Sequence, residues 1–385
     1  MCFNIVMQIH QFRPVCAGAE LQAERLASKL VERGCRVEVL TKHLIPETPP
    51  SENINGVLIS RIKPSHLGYR VNSSCVDNFK ELMKRRDCDI VHNHMLYGHV
   101  LASVLFAEKY NKKCIFKIAG YDTDLKNFSK FFLGEAALKI IRDRIDAAVA
   151  ISSTVRQELI QYGFDPERVI LIPNGVDHTY FRRMTEYHRV TKREPFHFLM
   201  LGRRGPEKGI DIIVQAVRIL RSRRISGFAV DLYGADVPGF NYQKQALDAG
   251  VADMVHFHPF CHETLPLLER TNCLLLPSRV EGLSNVMLEA MSMELPVICA
   301  KVSGCIDVVQ HEKNGLLIDT DAPEQLADSM EKLIRDEALC ERLRFEARQR
   351  ILSAYTLDVV ADSYLSLYRK ILSGQNIHGM ELNAE

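Results

Sequence analysis

Short apolar runs separated by stretches of helical periodicity fill both halves of the 385-residue chain. NIVMQI, RVEVLT, DIVHNH, CIFKI, AAVAI and VILI lie in the first half, and FHFLML, AVDLYG, MVHFH, CLLLP, PVICA and GLLID in the second. Such runs suit strands buried on both faces, and the helical segments between them supply the long crossovers that parallel strands require. The expected fold class is α/β, with a parallel sheet built from βαβ units in each half. The chain is longer than one hydrophobic core organises. PNGVDHTYFRRMTEYHRVTKREP, turn-rich at its start and charged at its end, reads as a linker. The expected domains are 1–175 and 176–355, followed by 356–385 with a last helix around Leu357 to Leu372 and a frayed tail.

Composition narrows the function classes. A hydrophobic share of 46% and a charged share of 25% are ordinary for a globular chain. A net charge of +1 argues against a strongly basic nucleic-acid surface. The runs KRR at 84–86 and RSRR at 221–224 follow helical segments, where cations complement helix C-termini. The 11 cysteines are scattered without a C-x-x-C pair, so we expect reduced thiols, a cytoplasmic location, and neither a disulfide framework nor a zinc ribbon. MCFNIVMQIHQF reads as a first core strand rather than a signal peptide, and no apolar stretch approaches the ~20 residues of a membrane span. Lys126 to Ile145 mixes Phe, Leu and Ile with Lys and Arg. The simpler expectation there is a helix covering the sheet or an acceptor cleft, with peripheral attachment to the inner membrane face as the alternative.

Two segments carry chemistry. In PSRVEGLSNVMLEAMSMELPV, Pro277 to Val297, a tight loop joins the apolar strand CLLLP to a helical pattern, and Ser284 and Asn285 are candidate N-caps. The free N–H groups of that helix start favour an anion. Glu281 and Glu289 flank the junction. Their eight-residue spacing alone means nothing, since Glu24/Glu32 and Glu186/Glu194 share it. In HFLMLGRRGPEKGIDIIVQAVRIL, His197 to Leu220, a glycine loop follows a short strand and precedes a helical pattern. Arg203 and Lys208 then sit at the C-terminal edge of a strand, where ligands of open α/β sheets collect. A planar fork and a mobile point charge together suit a diphosphate.

These segments resemble the donor-binding elements of glycosyltransferase family 4, retaining nucleotide-sugar transferases of the GT-B fold. AGAELQAERLASKLVERGCRVEVLT resembles the family's Gly-Gly-Ala-Glu loop and first helix, with Ala17 in place of the first glycine. VAISSTVRQELIQYGFDPERVILIPNGVD resembles the approach to the linker, GRRGPEKG the Gly-Arg and Glu-Lys-Gly elements, and EGLSNVMLEAM the E-x7-E region. The resemblance covers nearly the whole chain. It implies two Rossmann-like domains with a cleft between them, the first binding acceptor and the second donor, and a last helix that crosses back to the first domain.

Carried over residue by residue, the resemblance assigns Arg203 and Lys208 to the donor diphosphate, Glu281 to hydroxyls of the transferred sugar and Glu289 to the ribose. Gly202, Leu283, Ser284, Asn285 and Val286 would line the donor site, and Gly18 would let the first loop approach the phosphate. Ala119 stands where many members have a histidine that contacts the donor sugar. His94, Lys117, Asp122 and Asp124 are the candidates to fill that role. Glu294 stands where a glycine is usual and reads as a surface change. The implied activity is retaining transfer from a UDP- or GDP-sugar to a hydroxyl of a glycan, lipid-linked or small-molecule acceptor, without metal or other cofactor. The alternatives are a nucleotide-sugar epimerase or glycosyl phosphorylase on the same fold, and a non-catalytic nucleotide-sugar binding protein. A dinucleotide oxidoreductase fits poorly, because the first turn lacks G-x-G-x-x-G.

Overall fold

The structure is a computed structural model and describes residues 3–15, 17–63, 71–118, 120, 124–130, 134–183 and 195–380, apart from the side chains of 71–74 and 124. The chain divides into two compact units. Unit 1 comprises Met1–Gly175 with Leu357–Glu385, and unit 2 is Val176–Thr356.

Unit 1 is built on eight strands: β1 (Asn4–Gln8), β2 (Arg36–Lys42), β3 (Ser51–Ile54), β4 (Val57–Ile62), β5 (Ile90–His94), β6 (Lys113–Lys117), β7 (Ala147–Ala150) and β8 (Val169–Leu171). Their order is β3-β4-β2-β1-β5-β6-β7-β8, parallel except for the β3–β4 pair. Six of these are the apolar runs of the first half. The hairpin β3–β4 is an addition that a search for apolar runs overlooks, because β3 is polar and exposed at alternate positions. Its signal was the Asn55-Gly56 pair, which turns the chain with φ of 53° and 82°, the arrangement a two-residue hairpin favours.

Alternation along the central strands divides their side chains between two faces. Ile5 and Met7 of β1 and Ile90 of β5 share one buried cluster with Leu26 and Leu30 of helix Gly18–Glu32 and with Val360, Tyr364 and Tyr368 of helix Leu357–Ser373. The last helix therefore completes the core of unit 1, packed beside Gly18–Glu32. Leu125, Phe128, Ala137, Leu138, Ile141 and Ile145, in the 126–145 region and just before it, are also buried, whereas Ile140 is half-buried and Ala136 exposed. No helix among the described residues is long and apolar enough to cross a membrane.

Unit 2 has six parallel strands: β9 (Phe196–Leu201), β10 (Phe228–Tyr233), β11 (Val255–His258), β12 (Cys273–Leu276), β13 (Val297–Ala300) and β14 (Leu316–Ile318), in the order β11-β10-β9-β12-β13-β14. Helix Ile210–Ser222 shows why the local sequence folds as it does. Ile210, Ile213, Val217 and Leu220 recur at helical spacing and are fully buried, each contributing roughly 1.5–3 kcal/mol relative to exposure.

Glu294 is more than a surface change. Helix Asn285–Ser292 ends at Met293, and Glu294 then takes a left-handed φ of 58° while Leu295 N–H returns to Ala290 O at 3.0 Å. Glycine favours that position because a Cβ there is strained by about 1–2 kcal/mol. Glu294→Gly should raise the urea midpoint of unit 2 by an amount equivalent to about 0.5–1 kcal/mol, the remainder being lost to glycine's greater unfolded-state entropy. An unchanged or lower midpoint would show that the Glu294 side chain, which lies near Arg348, outweighs the backbone strain.

Candidate active site

The order of each sheet creates a crevice. In unit 2 the chain runs from β9 outward to β10 and β11, then returns to lay β12 on the other side of β9. The loops that follow β9 and β12 thus leave the carboxyl ends of adjacent strands in opposite directions, the arrangement at which open α/β sheets hold ligands. In unit 1 the corresponding position lies between β1 and β5.

The β9 loop carries Gly202, Arg203 and Lys208, and the β12 loop carries Glu281, Leu283 and Ser284. They meet closely. Gly209 has φ 67°, and a Cβ on it would lie 2.1 Å from Pro277 O, so only glycine lets the two backbones touch. Lys208 Nζ donates to Glu281 Oε1 at 2.5 Å, and Ser278 Oγ donates to the same oxygen at 3.0 Å. The pair is mostly shielded, the side chains being 22% and 11% exposed. Two residues assigned separately to diphosphate and sugar are thereby in direct contact.

Beyond the loop, helix Asn285–Ser292 begins at Ser284, whose hydroxyl accepts from Met287 N–H. Leu283 is buried, while Asn285 and Val286 are half-buried at the helix start. Glu289 is buried about one turn in, and its Oε2 accepts from Thr264 Oγ1 at 3.1 Å. Arg203 is exposed; its carbonyl accepts from Gly205 N–H at 2.9 Å, and its side chain makes no hydrogen bond among the described residues. Its neighbour Arg204 is buried and donates to Asp236 Oδ1 at 2.7 Å and to the carbonyls of Leu232 and His258, tying the ends of β10 and β11 together. The doubled arginine therefore splits into one buried structural cation and one exposed cation. Ser278, Thr264, Arg279 and Asp211 were not identified as contributors. Thr264 reaches Glu289 25 residues away and Arg279 reaches Asp211 68 residues away, contacts that a motif search does not register, whereas Ser278 meets Glu281 within the same loop.

In unit 1, Gly18 opens helix Gly18–Glu32 and is exposed, and Glu20 closes the turn by accepting from Ala17 N–H at 2.9 Å. His94 and Lys117 lie side by side at the ends of β5 and β6. Both are buried. Lys117 Nζ donates to Asn174 Oδ1 at 2.8 Å, His92 and His94 stack at 4.4 Å, and His92 Nδ1 meets Tyr368 OH at 2.7 Å. Asp122 and Ala119 lie outside the described residues, and so does the Asp124 side chain. No group of three or more potential metal ligands occurs among the described residues.

Burial dominates the electrostatics of this cluster. It lowers Lys117 to about 7 and both His92 and His99 to about 3, and it carries His94 well below its ordinary value. The native state therefore holds these imidazoles neutral while the unfolded chain protonates them below about 6.5. Because the folded values are depressed, their contribution is complete above pH 6.5 and is lost as pH falls towards 3.

Two family profiles match the chain, Glycosyltransferase Family 4 over residues 17–180 and Glycosyl transferases group 1 over residues 185–350. The chain is 27% identical over 386 residues to a D-inositol 3-phosphate glycosyltransferase of Catenulispora acidiphila, covering 93% of this chain and 91% of that one. It is 23% identical over 273 residues to the capsular polysaccharide biosynthesis glycosyltransferase CapM of Staphylococcus aureus, covering 67% and 70%. The crystal structure of Anabaena HepE in complex with UDP superposes with a TM-score of 0.76 at 16% identity, covering 95% of this chain and all of that one.

Between pH 7 and 4.5, His92 and His99 should each withdraw about 2–3 kcal/mol from unit 1. Unit 2, which has no fully buried histidine among its described residues, serves as the internal control. Amide exchange followed against pH should show unit 1 opening first, and His99→Gln should flatten its pH dependence. Equal acid sensitivity in both units would contradict this account.

Proposed function

The chain belongs to glycosyltransferase family 4 and has the GT-B fold of two Rossmann-like domains, and from that premise we propose that it transfers a sugar from a UDP- or GDP-linked donor to an acceptor hydroxyl with retention of configuration. The observation that carries this reading is the contact between Lys208 and Glu281 at the switch point of unit 2, in front of a helix N-terminus. A diphosphate would draw on Lys208, Arg203 and the first N–H groups of helix Asn285–Ser292. Glu281, released from Lys208, would accept from hydroxyls of the sugar, and Glu289 from those of the ribose. The UDP bound to HepE supports the donor class. The capsular and inositol phosphate activities named for the two relatives support a hydroxyl acceptor of glycan, lipid-linked or small-molecule type.

The barrier in such a transfer is departure of the nucleoside diphosphate from an oxocarbenium-like carbon. Preorganised positive charge lowers it most. In the retaining route we favour, the departing phosphate takes the proton of the incoming hydroxyl on the same face, so no side chain forms a bond to the sugar. Isolation of a sugar covalently attached to this protein would overturn that route.

Calorimetry against UDP-, GDP- and ADP-sugars, with NAD and inorganic phosphate as controls, tests the donor. We expect saturable binding to one nucleotide-sugar series, weaker in Glu289→Ala, and loss of transfer in Arg203→Ala and Lys208→Ala with the fold intact. A phosphate requirement would point to a phosphorylase and an altered nucleotide sugar without transfer to an epimerase. Binding without any turnover would leave a binding protein.

Glu281→Gln separates the two partners. Removal of the carboxylate frees Lys208, so the free nucleoside diphosphate should bind several-fold to about tenfold more tightly. Transfer should nevertheless fall by at least about 100-fold as the sugar loses its acceptor group. Unchanged or weaker diphosphate binding would show that the ion pair does not compete with the ligand.

A further inference from the structure

Arg279 follows Ser278 in the β12 loop and is part of neither assigned set of site residues. Its side chain nevertheless reaches the other loop. Arg279 Nη1 and Nη2 embrace the carboxylate of Asp211 at 3.0 and 2.7 Å, and Nη1 also donates to Pro206 O at 2.5 Å. Nε donates to Asp321 Oδ1 at 2.7 Å, and the backbone N–H of Arg279 donates to Glu207 O at 2.8 Å. One residue of the Glu281 loop thus holds residues 206, 207 and 211, which bracket Lys208 on both sides.

We infer that Arg279 is a positioning residue that fixes the separation between Lys208 and Glu281 by clamping the β9 loop to the β12 loop. Three observations distinguish a clamp from an ordinary surface ion pair. The guanidinium binds Asp211 through both nitrogens, a geometry that fixes direction as well as distance. Two of its bonds end on backbone or act through backbone, so they hold the loop itself rather than a mobile side chain. Asp211 stands in the first turn of helix Ile210–Ser222, where a carboxylate is already favoured, and it therefore offers Arg279 a rigid anchor. Asp321 is 57% exposed, and that arm contributes little.

The consequence for chemistry rests on the proposed transferase reading, in which Lys208 and Glu281 contact different parts of one donor. Loosening the clamp would leave both groups present but misplaced. A displacement on the order of 1 Å costs about 100-fold in turnover, whereas binding of the diphosphate alone tolerates a mobile lysine. Arg279 should therefore appear in kcat rather than in donor KM.

The test compares wild type, Arg279→Ala, Arg279→Lys and Asp211→Asn. Without any ligand, amide exchange over 203–209 should be at least about tenfold faster in Arg279→Ala while the unfolding midpoint of unit 2 moves little. With the donor that the calorimetric screen identifies, kcat should fall by about 100-fold and KM by less than about fivefold in either direction. Arg279→Lys should recover little, since an ammonium cannot make the paired contact, and added guanidinium should restore part of the turnover of Arg279→Ala. Unaltered exchange over 203–209, or turnover per folded molecule equal to wild type, would overturn the clamp. Wild-type protein that binds no nucleoside diphosphate and transfers no sugar would instead refute the transferase reading, and the exchange data would still decide the role of Arg279.

Discussion

Parallel strands cannot be joined by a tight turn, because the chain must travel back along the whole sheet before the next strand begins. In this protein that requirement places helices between most strands and buries the central strands on both faces. Reactive side chains are left with strand ends and loops. The strand order then decides which loops meet, and in unit 2 it makes neighbours of the loops after β9 and β12 although two strands intervene in sequence. The contacts of Lys208 with Glu281, Gly209 with Pro277 and Arg279 with Asp211 all follow from that adjacency.

Much of this was legible in the sequence, and the reason lies in local physics. All twelve apolar runs form strands, since a strand covered on both faces has to be apolar along its length. Ser284 as the helix cap was legible because capping depends on one residue type at one position. The hairpin β3–β4 was missed although Asn55-Gly56 announced it, because one side of that hairpin faces solvent and carries polar residues. The clamp of Arg279 could not have been read at all. Its partner Asp211 is 68 residues distant, and nothing in the type of either residue names the other.

The two units treat charge in opposite ways. In unit 2 the site cation is matched by a carboxylate, and the loops are further tied by Arg279 with Asp211 and by Arg204 with Asp236. In unit 1 the corresponding strands hold Lys117, His92 and His94 in a buried cluster, where Lys117 donates to the neutral Asn174 and His92 meets the neutral Tyr368. Desolvation rather than pairing sets their protonation. The first arrangement suits exchange of an internal counter-ion for a ligand. The second keeps the histidines neutral and makes Lys117 easier to deprotonate, at a cost in stability that the surrounding aromatic packing must offset.

The discontinuity of unit 1 bears on how the protein is made. Its core includes Tyr364, Tyr368 and Val360, which enter the chain only after all of unit 2 has been synthesised. Unit 2 is continuous and has its own hydrophobic cluster. During synthesis from the N-terminus, the strands of unit 1 emerge first yet wait longest for their last covering helix, with part of one sheet face exposed in the interval. The order of birth and the order of completion are therefore reversed, and the period of greatest exposure to aggregation or chaperone capture falls on the N-terminal half of the chain.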